Sequence, residues 1–299
     1  MQTPAPEGAH ARAVSRVLVI ILILNVAVMA VKAAVGWWTG SLSVLGDAVH
    51  STVDALNNVV ALIAIRLAHQ PADREHPYGH GKFETLAAFA IAGLLVLTAF
   101  GLVKTAVSRL LGSTVVTLEI RGLATAGLLI TWMVNWFVAV YERRAGTRLD
   151  SELLLADAAH TLSDVFVTAA ILVSFSLAAS PLYPLVDAGL SLGIAVVIGW
   201  TAYGIFARTL PILTDRLAIA PEVIEQIVRS VPGALGCHAI RSRRVGPATF
   251  IEMHVEVAES ENVKAHAITE EIEARLELRI GTPCTATIHV EPVVDRPRE

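Results

Sequence analysis

The sequence predicts an α-helical membrane protein with six transmembrane helices, followed by a small cytoplasmic α+β domain. Of its 299 residues, 54% are hydrophobic and only 17% are charged, and the mean hydropathy is +0.61. Soluble domains usually have about 25% charged residues, so this chain lacks the charge to cover a water-facing surface. The apolar residues also concentrate in six long stretches, whereas the chain after Asp215 has the mixed pattern of a soluble domain.

Six stretches are long enough to cross a bilayer. A transmembrane helix needs about 20 apolar residues, because the hydrocarbon core is about 30 Å thick and each helical residue rises about 1.5 Å. The stretches are residues 14–38, 42–68, 84–111, 118–141, 151–178 and 185–210. Two longer polar breaks, 69–83 and 142–150, fall on the same side of the bilayer if the helices alternate in direction.

Basic residues near the helix ends predict the orientation. Most of them lie on the side of the amino terminus, whereas Lys104, Arg109 and Arg121 lie towards the other side. We therefore expect a multi-pass protein of the cytoplasmic membrane with both termini in the cytoplasm. The first apolar run is too long for a cleaved signal peptide and is followed at once by a second span.

Net charge and cysteine content exclude two other classes of protein. A formal net charge of −4 gives no electrostatic reason to bind nucleic acid. The two cysteines, Cys237 and Cys284, exclude a disulfide-rich secreted scaffold and are expected to be reduced thiols in the cytoplasm.

The chain after Asp215 predicts a small α-β-β-α-β domain. Helices are expected at 220–231 and 263–278, and strands at 237–245, 248–257 and 285–290. The first two strands form a predicted hairpin around Gly246-Pro247. In the second strand, apolar and polar residues alternate, which is typical of a half-buried strand.

Two of the six spans contain carboxylates and imidazoles in the same order. Each has the pattern Asp-x-x-His-x-x-x-Asp. The pattern occupies Asp47, His50 and Asp54 in the second span, and Asp157, His160 and Asp164 in the fifth. Residues i, i+3 and i+7 share one face of a helix, so each span is predicted to present an acidic face that contains a histidine.

These buried carboxylates need a partner. An aspartate at the centre of a bilayer costs about 2.5–3.5 kcal/mol on insertion scales, and the spans contain no equal number of lysines and arginines. His50, Asp54, His160 and Asp164 offer two nitrogen and two oxygen ligands, a set that suits tetrahedral Zn²⁺. Spans two and five run in opposite directions and bring the two pairs to a similar depth, as in inverted-repeat transporters.

Other roles compete for these residues. They could form hydrogen bonds between helices without a metal, although two matching patterns at matching depth favour a metal site. Asp47 and Asp157 are either ligands themselves or groups that contact the ligands or a hydrated ion. A membrane metal sensor and an intramembrane metalloenzyme are the competing classes of protein. The enzyme needs a general base beside an open metal position, and the sequence offers no constellation suited to it.

The loop after the second span adds a specific motif. Residues 71–84 have the sequence Pro-Ala-Asp-Arg-Glu-His-Pro-Tyr-Gly-His-Gly-Lys-Phe-Glu. This loop and the paired His-x-x-x-Asp motifs resemble those of the cation diffusion facilitator family of metal-ion/proton antiporters, and the resemblance covers nearly the whole chain. It implies a homodimer in the lipid bilayer that exchanges divalent metal ions for protons by alternating access.

The resemblance also implies three metal sites, with Zn²⁺ both transported and bound in structural or regulatory roles. The transport site corresponds to His50, Asp54, His160 and Asp164, and the loop site to Asp73, His76 and His80. A binuclear zinc site in the cytoplasmic domain corresponds to His238, His254, His266, His289 and Glu291. Helix capping is the alternative for the loop, and simple solvation for His254 and His289. The family often has aspartate in place of Glu291.

Two further expectations follow from the resemblance. Lys82 and Asp215 match a charge pair that joins the subunits in relatives. The domains are then a cytoplasmic tail at 1–13, a transmembrane domain at 14–212, a cytoplasmic metal-binding dimerisation domain at 213–292 and a tail at 293–299. Many bacterial relatives have aspartate at the position of His50. Two imidazoles favour zinc, with Co²⁺ and Cd²⁺ as further cargo, over Fe²⁺ or Mn²⁺.

Overall fold

The computed structural model of the chain describes residues 7–39, 42–111, 122–176, 183–258 and 261–292. The chain divides into two compact units. We call residues 5–69 and 83–209 the helical unit, and residues 70–82 and 210–299, which cluster with 1–4, the α+β unit.

Six long helices account for the first two thirds of the chain. They are α1 (Glu7–Thr39), α2 (Leu42–Ala68), α3 (Lys82–Leu110), α4 (Gly122–Leu149), α5 (Glu152–Ser176) and α6 (Tyr183–Leu213). Within the described residues, four of them contain a segment long and apolar enough to cross a membrane: Arg12–Ala34, Lys82–Ser108, Glu152–Ala170 and Leu185–Leu213. The structure therefore supports four of the six predicted spans on hydropathy.

The two remaining helices are α2 and α4. Polar residues lower the hydropathy of α2, among them Asp47, Asp54 and Asn58. The predicted start of the fourth span, at residue 118, lies outside the described residues. Large apolar side chains on α1, α3 and α6 are exposed, for example Trp37, Phe100 and Trp200, as expected of a surface that faces lipid.

The predicted polar break at 142–150 is helical for most of its length, because α4 continues to Leu149. Gly146, in this part of α4, allows α5 to approach closely. Its missing side chain leaves room for Leu154 and Leu155, which lie 3.1 Å from the position a Cβ would take. Consequently α4 and α5 pack closely as an antiparallel pair, joined by a tight turn at Asp150, whose φ is 50°.

The α+β unit contains two helices and a three-stranded sheet in the predicted order. The elements are α7 (Pro221–Arg229), β1 (Ala234–Val245), β2 (Ala248–Val257), α8 (Asn262–Ile280) and β3 (Cys284–Pro292). The strand order is β1-β2-β3. β1 pairs with β2 in antiparallel orientation, and β2 pairs with β3 in parallel.

One face of this sheet packs on the helices and the other carries polar residues. Every second residue of β2 is buried, including Ile251, Met253 and Val255. These side chains share a core with Ile272 and Leu276 of α8. The even-numbered residues of β2 therefore lie on the opposite face, and His254 is one of them.

We expect Ile251→Ala to destabilise the α+β unit by about 2–5 kcal/mol, because it removes a fully buried side chain. Val263→Ala is the control, since Val263 is 82% exposed and exposed substitutions usually change stability by less than about 0.5 kcal/mol. Hydrogen–deuterium exchange of the full-length protein in detergent measures the local opening of the three strands. Equal exchange in both variants would contradict the assigned core.

Candidate functional site

The helical unit brings together three of the four predicted transport-site residues. Asp54 of α2 and His160 and Asp164 of α5 each offer a ligand atom, and these atoms lie within 4.8 Å of one another. His160 Nε2 lies 3.7 Å from Asp54 Oδ1 and 3.9 Å from Asp164 Oδ2. Ligand atoms around a tetrahedral zinc ion are separated by about 3.3 Å, given bond lengths near 2.0–2.1 Å. A small contraction would allow these atoms to bind one ion.

The side chains of Asp47 and His50 lie outside the described part of the structure, although both residues belong to α2. The predicted site is thus described at three of its four members. Beside it, the Lys32 ammonium of α1 donates a hydrogen bond to Ser51 Oγ at 2.8 Å.

A polar cavity surrounds this cluster. Its lining includes four acidic or imidazole groups and several neutral amides. The residues are Asn25, Asp54, Asn58, Asn135, Asp157, His160, Thr161 and Asp164. Asp157, the first residue of the second repeat, is therefore in the same cavity as the three clustered residues.

Several polar atoms of the cavity are buried without a hydrogen-bond partner among the described residues. They include Asp54 Oδ1, Asp157 Oδ2 and both ring nitrogens of His160. Buried polar groups are nearly always paired in folded proteins, with protein, water or an ion. A cation that binds between these oxygen and nitrogen atoms would satisfy them.

Glu142 of α4 is a buried acidic residue that the sequence analysis missed. It is fully buried, and neither carboxylate oxygen has a hydrogen-bond partner in the described structure. The sequence predicts that the fourth span ends at residue 141, so Glu142 is expected outside the membrane-spanning segments. The available signal was helical periodicity, because Asn135 and Glu142 are seven residues apart and share one face of α4.

The loop motif folds into a compact cluster within the α+β unit. Asp73 Oδ1 lies 3.4 Å from His76 Nδ1, and Asp73 Oδ2 lies 3.4 Å from His80 Nε2. Asp73 Oδ1 also accepts backbone N–H bonds from Glu75 and His76 at 2.9 and 2.6 Å. The His76 bond holds the pKa of the Asp73 carboxyl below its usual value. The cluster has ligand atoms within 4.8 Å of one another, and Asp73 also stabilises the turn.

Three contacts connect this loop to other parts of the α+β unit. The Arg243 guanidinium lies 3.6 Å from the centre of the Tyr78 ring, and Tyr78 packs edge-on against Phe250. Lys82 Nζ donates to Asp215 Oδ1 at 2.7 Å within the same chain. The predicted pairing of Lys82 and Asp215 across a subunit interface stays a prediction.

The polar face of the sheet carries a row of histidines. His238, His254 and His289 are in register across β1, β2 and β3. Glu291 lies next to the row: its Oε1 is 2.9 Å from His254 Nδ1 and 3.7 Å from His289 Nε2. Its Oε2 is 3.5 Å from His238 Nε2. The longer side chain of glutamate therefore reaches the histidines.

The fifth predicted member of that site lies elsewhere in the α+β unit. His266 is on α8, 74% exposed, with its Nε2 3.6 Å from Glu270 Oε1. It is outside the described group of His238, His254 and Glu291 that could hold a metal. A role for His266 as a ligand stays a prediction.

The two cysteines are free thiols. Burial raises the pKa of the Cys237 thiol to about 11, and it also raises the pKa of Cys284. Since the thiolate is the metal-binding form, histidine and carboxylate groups are the better ligands in this unit at neutral pH.

Comparison with known proteins identifies both units. Residues 18–214 match the cation efflux transmembrane domain, and residues 220–293 match the cytoplasmic domain of cation efflux proteins. The chain belongs to the cation diffusion facilitator family. This member of the family is a multi-pass membrane protein and a cation efflux transporter.

Relatives align along nearly the full length. An uncharacterized transporter of Methanocaldococcus jannaschii is 30% identical over 94% of this chain and 99% of its own length. The cation-efflux pump FieF of Salmonella arizonae is 32% identical over 97% of this chain and 96% of the pump. A solved structure of CzrB in its zinc form is 35% identical over 27% of this chain and 96% of that chain, with a TM-score of 0.22.

We expect His254→Ala to remove at least one tightly bound zinc ion per chain, because His254 is central to the histidine row. His266→Ala is the matched control and should retain that ion, since its side chain points to solvent on α8. Zinc retained by the full-length protein after gel filtration, counted by mass spectrometry, measures both. Loss of the same ion from both variants would show that His266 also binds it.

Proposed function

We propose that this transporter exports Zn²⁺ from the cytoplasm in exchange for protons, by alternating access to a site formed by His50, Asp54, His160 and Asp164. The observation that carries the proposal is the convergence of Asp54, His160 and Asp164 in one cavity of the helical unit. A metal sensor could bind its ion at a surface site. Ligands between the helices of an efflux domain are instead suited to moving the ion across the membrane.

The ligand set supports zinc as the cargo. With His50, the site has two imidazoles and two carboxylates, which suit a borderline ion in tetrahedral coordination. Co²⁺ and Cd²⁺ accept the same ligands. Fe²⁺ and Mn²⁺ are the alternative cargo, and a site richer in oxygen ligands would favour Mn²⁺ over zinc.

Proton coupling follows from the chemistry of the ligands. Metal binding requires neutral histidines and ionised carboxylates, so protons and metal compete for the same groups. Histidine titrates near pH 6.5 in water, within the working range of a cell. Protonation on the outer side would promote release of the ion, and the protonated site would return a proton to the cytoplasm.

The proposed topology places both termini and the α+β unit in the cytoplasm, with six spans in the cell membrane. The transmembrane domain then extends over residues 14–212 and the metal-binding dimerisation domain over 213–292, flanked by tails at 1–13 and 293–299. The cytoplasmic-domain match over residues 220–293 supports this arrangement.

The two clusters of the α+β unit are proposed as regulatory or structural zinc sites. They are the loop cluster (Asp73, His76 and His80) and the histidine row with Glu291, to which His266 would add a ligand for the second ion of a binuclear site. Zinc there would draw two cytoplasmic domains together in a homodimer. Lys82 and Asp215 would exchange their bond within the chain for one across the interface.

We expect Asp54→Asn and Asp164→Asn to abolish most Zn²⁺ transport, because each change removes a charged ligand from the cluster. Asp150→Asn is the matched control: it makes the same chemical change in an exposed turn whose positive φ asparagine accepts. Uptake of radioactive zinc into proteoliposomes measures all three. Normal transport by the Asp54→Asn/Asp164→Asn double variant would refute the proposed transport site.

We expect an acidic vesicle lumen to drive Zn²⁺ accumulation, because protons leaving the vesicle exchange for the metal. Reversing the pH gradient should slow uptake, and a protonophore that collapses the gradient should remove the accumulation. The measurement is zinc uptake at equal external pH and metal concentration, with protein-free vesicles as the control. Zinc uptake that does not depend on the pH gradient would refute exchange for protons, but it would still be consistent with metal transport.

A further inference from the structure

We propose that Glu142 and Asp157 form a second cation subsite in the helical unit, separate from the cluster of Asp54, His160 and Asp164. The subsite would hold the divalent cation before it reaches the transport site, and the inference therefore rests on the proposed function. Glu142 and Asp157 would both be ligands of this subsite. Asp157 would therefore bind the ion at a different level of α5 from His160 and Asp164.

The geometry of α4 and α5 places the two carboxylates together. Asn135 and Glu142 share one face of α4, and Asp164 and Asp157 share one face of α5. The two helices are antiparallel neighbours. The step from Asn135 to Glu142 on α4 and the step from Asp164 to Asp157 on α5 therefore lead towards the same end of the helix pair. Glu142 lies against Asp157 and Thr161, about 10 Å along the helix axes from the level of Asp164.

Neither carboxylate is neutralised by a lysine or arginine in the described structure. Glu142 is fully buried and Asp157 is 3% exposed. Both oxygens of Glu142 and Oδ2 of Asp157 have no hydrogen-bond partner among the described residues. The Thr161 hydroxyl, which lies 3.2 Å from the backbone oxygen of Asp157 and also close to the Glu142 carboxyl group, is neutral and does not balance the charge of the two carboxylates.

Two buried carboxylates side by side are unfavourable when both are ionised, and a divalent cation between them would offset their repulsion. Oxygen ligands alone prefer hard or partly hydrated ions, and zinc binds more favourably where imidazole is added. A subsite with only oxygen ligands would thus hold the ion weakly and release it to the site that contains His160. Asp157 lines the same cavity as His160, so the ion can pass between the two without crossing an apolar layer.

The position of the subsite fits an entry step. It lies between the transport cluster and the turn that joins α4 to α5. This turn is on the cytoplasmic side in the proposed topology. An ion arriving from the cytoplasm would therefore meet Glu142 and Asp157 before His160.

The test measures Zn²⁺ uptake by the full-length protein in proteoliposomes as a function of zinc concentration. We expect Glu142→Gln and Asp157→Asn to raise the apparent KM by about 10- to 100-fold, the usual cost of losing a group that supports a metal site, with a smaller effect on the maximal rate. Glu142→Asp, which keeps the carboxylate, should recover part of the affinity.

The control is Glu152→Gln, which removes a carboxylate that pairs with Arg208 at the same end of α5 and should leave the KM unchanged. An unchanged KM in both Glu142→Gln and Asp157→Asn would overturn the subsite. An unchanged KM combined with loss of the response to a pH gradient would also overturn it, and would assign the pair to proton transfer instead. Asp164→Asn separates these results from failure of the proposed function, because it tests the transport site alone.

Direct binding provides a second measurement that does not depend on transport. The probe is Cd²⁺ alone, added at saturating concentration to full-length Asp54→Asn/Asp164→Asn protein in detergent. We expect one fewer Cd²⁺ per chain when Glu142→Gln is added to this double variant. Equal numbers of bound ions would overturn the subsite, and gel filtration establishes that both proteins are folded.

Discussion

The main constraint on the helical unit is the group of carboxyl and imidazole side chains between its helices, several of whose atoms have no hydrogen-bond partner among the described residues. Asp54, His160 and Asp164 converge at distances close to those around a coordinated ion. Among the described residues, Asp54 Oδ1 and both ring nitrogens of His160 have no hydrogen-bond partner. In an apolar medium this arrangement is unfavourable unless a cation occupies it. If the ion is the main partner of these polar atoms, the unit is less stable each time the ion leaves.

The cluster of Asp54, His160 and Asp164 could be predicted because its pattern repeats in the sequence and because ionisable residues are rare within membrane spans. Glu142 could not be found in the same way, because it stands at the start of a charged run, Glu142-Arg143-Arg144, that resembles the end of a helix. The structure shows that α4 continues to Leu149, and that Gly146 lets α5 pack closely against this part of it. The hydropathy of α2 illustrates the same conflict, since the polar residues that form the site also weaken the signal for a span.

The α+β unit was easier to predict in its order of elements than in its site. Alternation in β2 places His254 on the polar face, and that pattern is visible in the sequence. The row of His238, His254 and His289 depends on strand register, which depends on a parallel pairing of β2 with β3 that local sequence does not specify. A bulge after His238, where Ala239 has a φ of 51°, further shifts the register of β1. His266 lies on a helix, and no strand register constrains its position.

The donor atoms differ between the two acidic groups of the helical unit. The pair of Glu142 and Asp157 offers oxygen alone, whereas the cluster of Asp54, His160 and Asp164 adds an imidazole. For a borderline metal, nitrogen ligands increase affinity and also make binding sensitive to protons near neutral pH. An oxygen site can therefore take up the ion weakly, and a nitrogen site can hold it until protonation releases it. In the proposed order the weaker site comes first, so the ion would move towards higher affinity before protonation releases it.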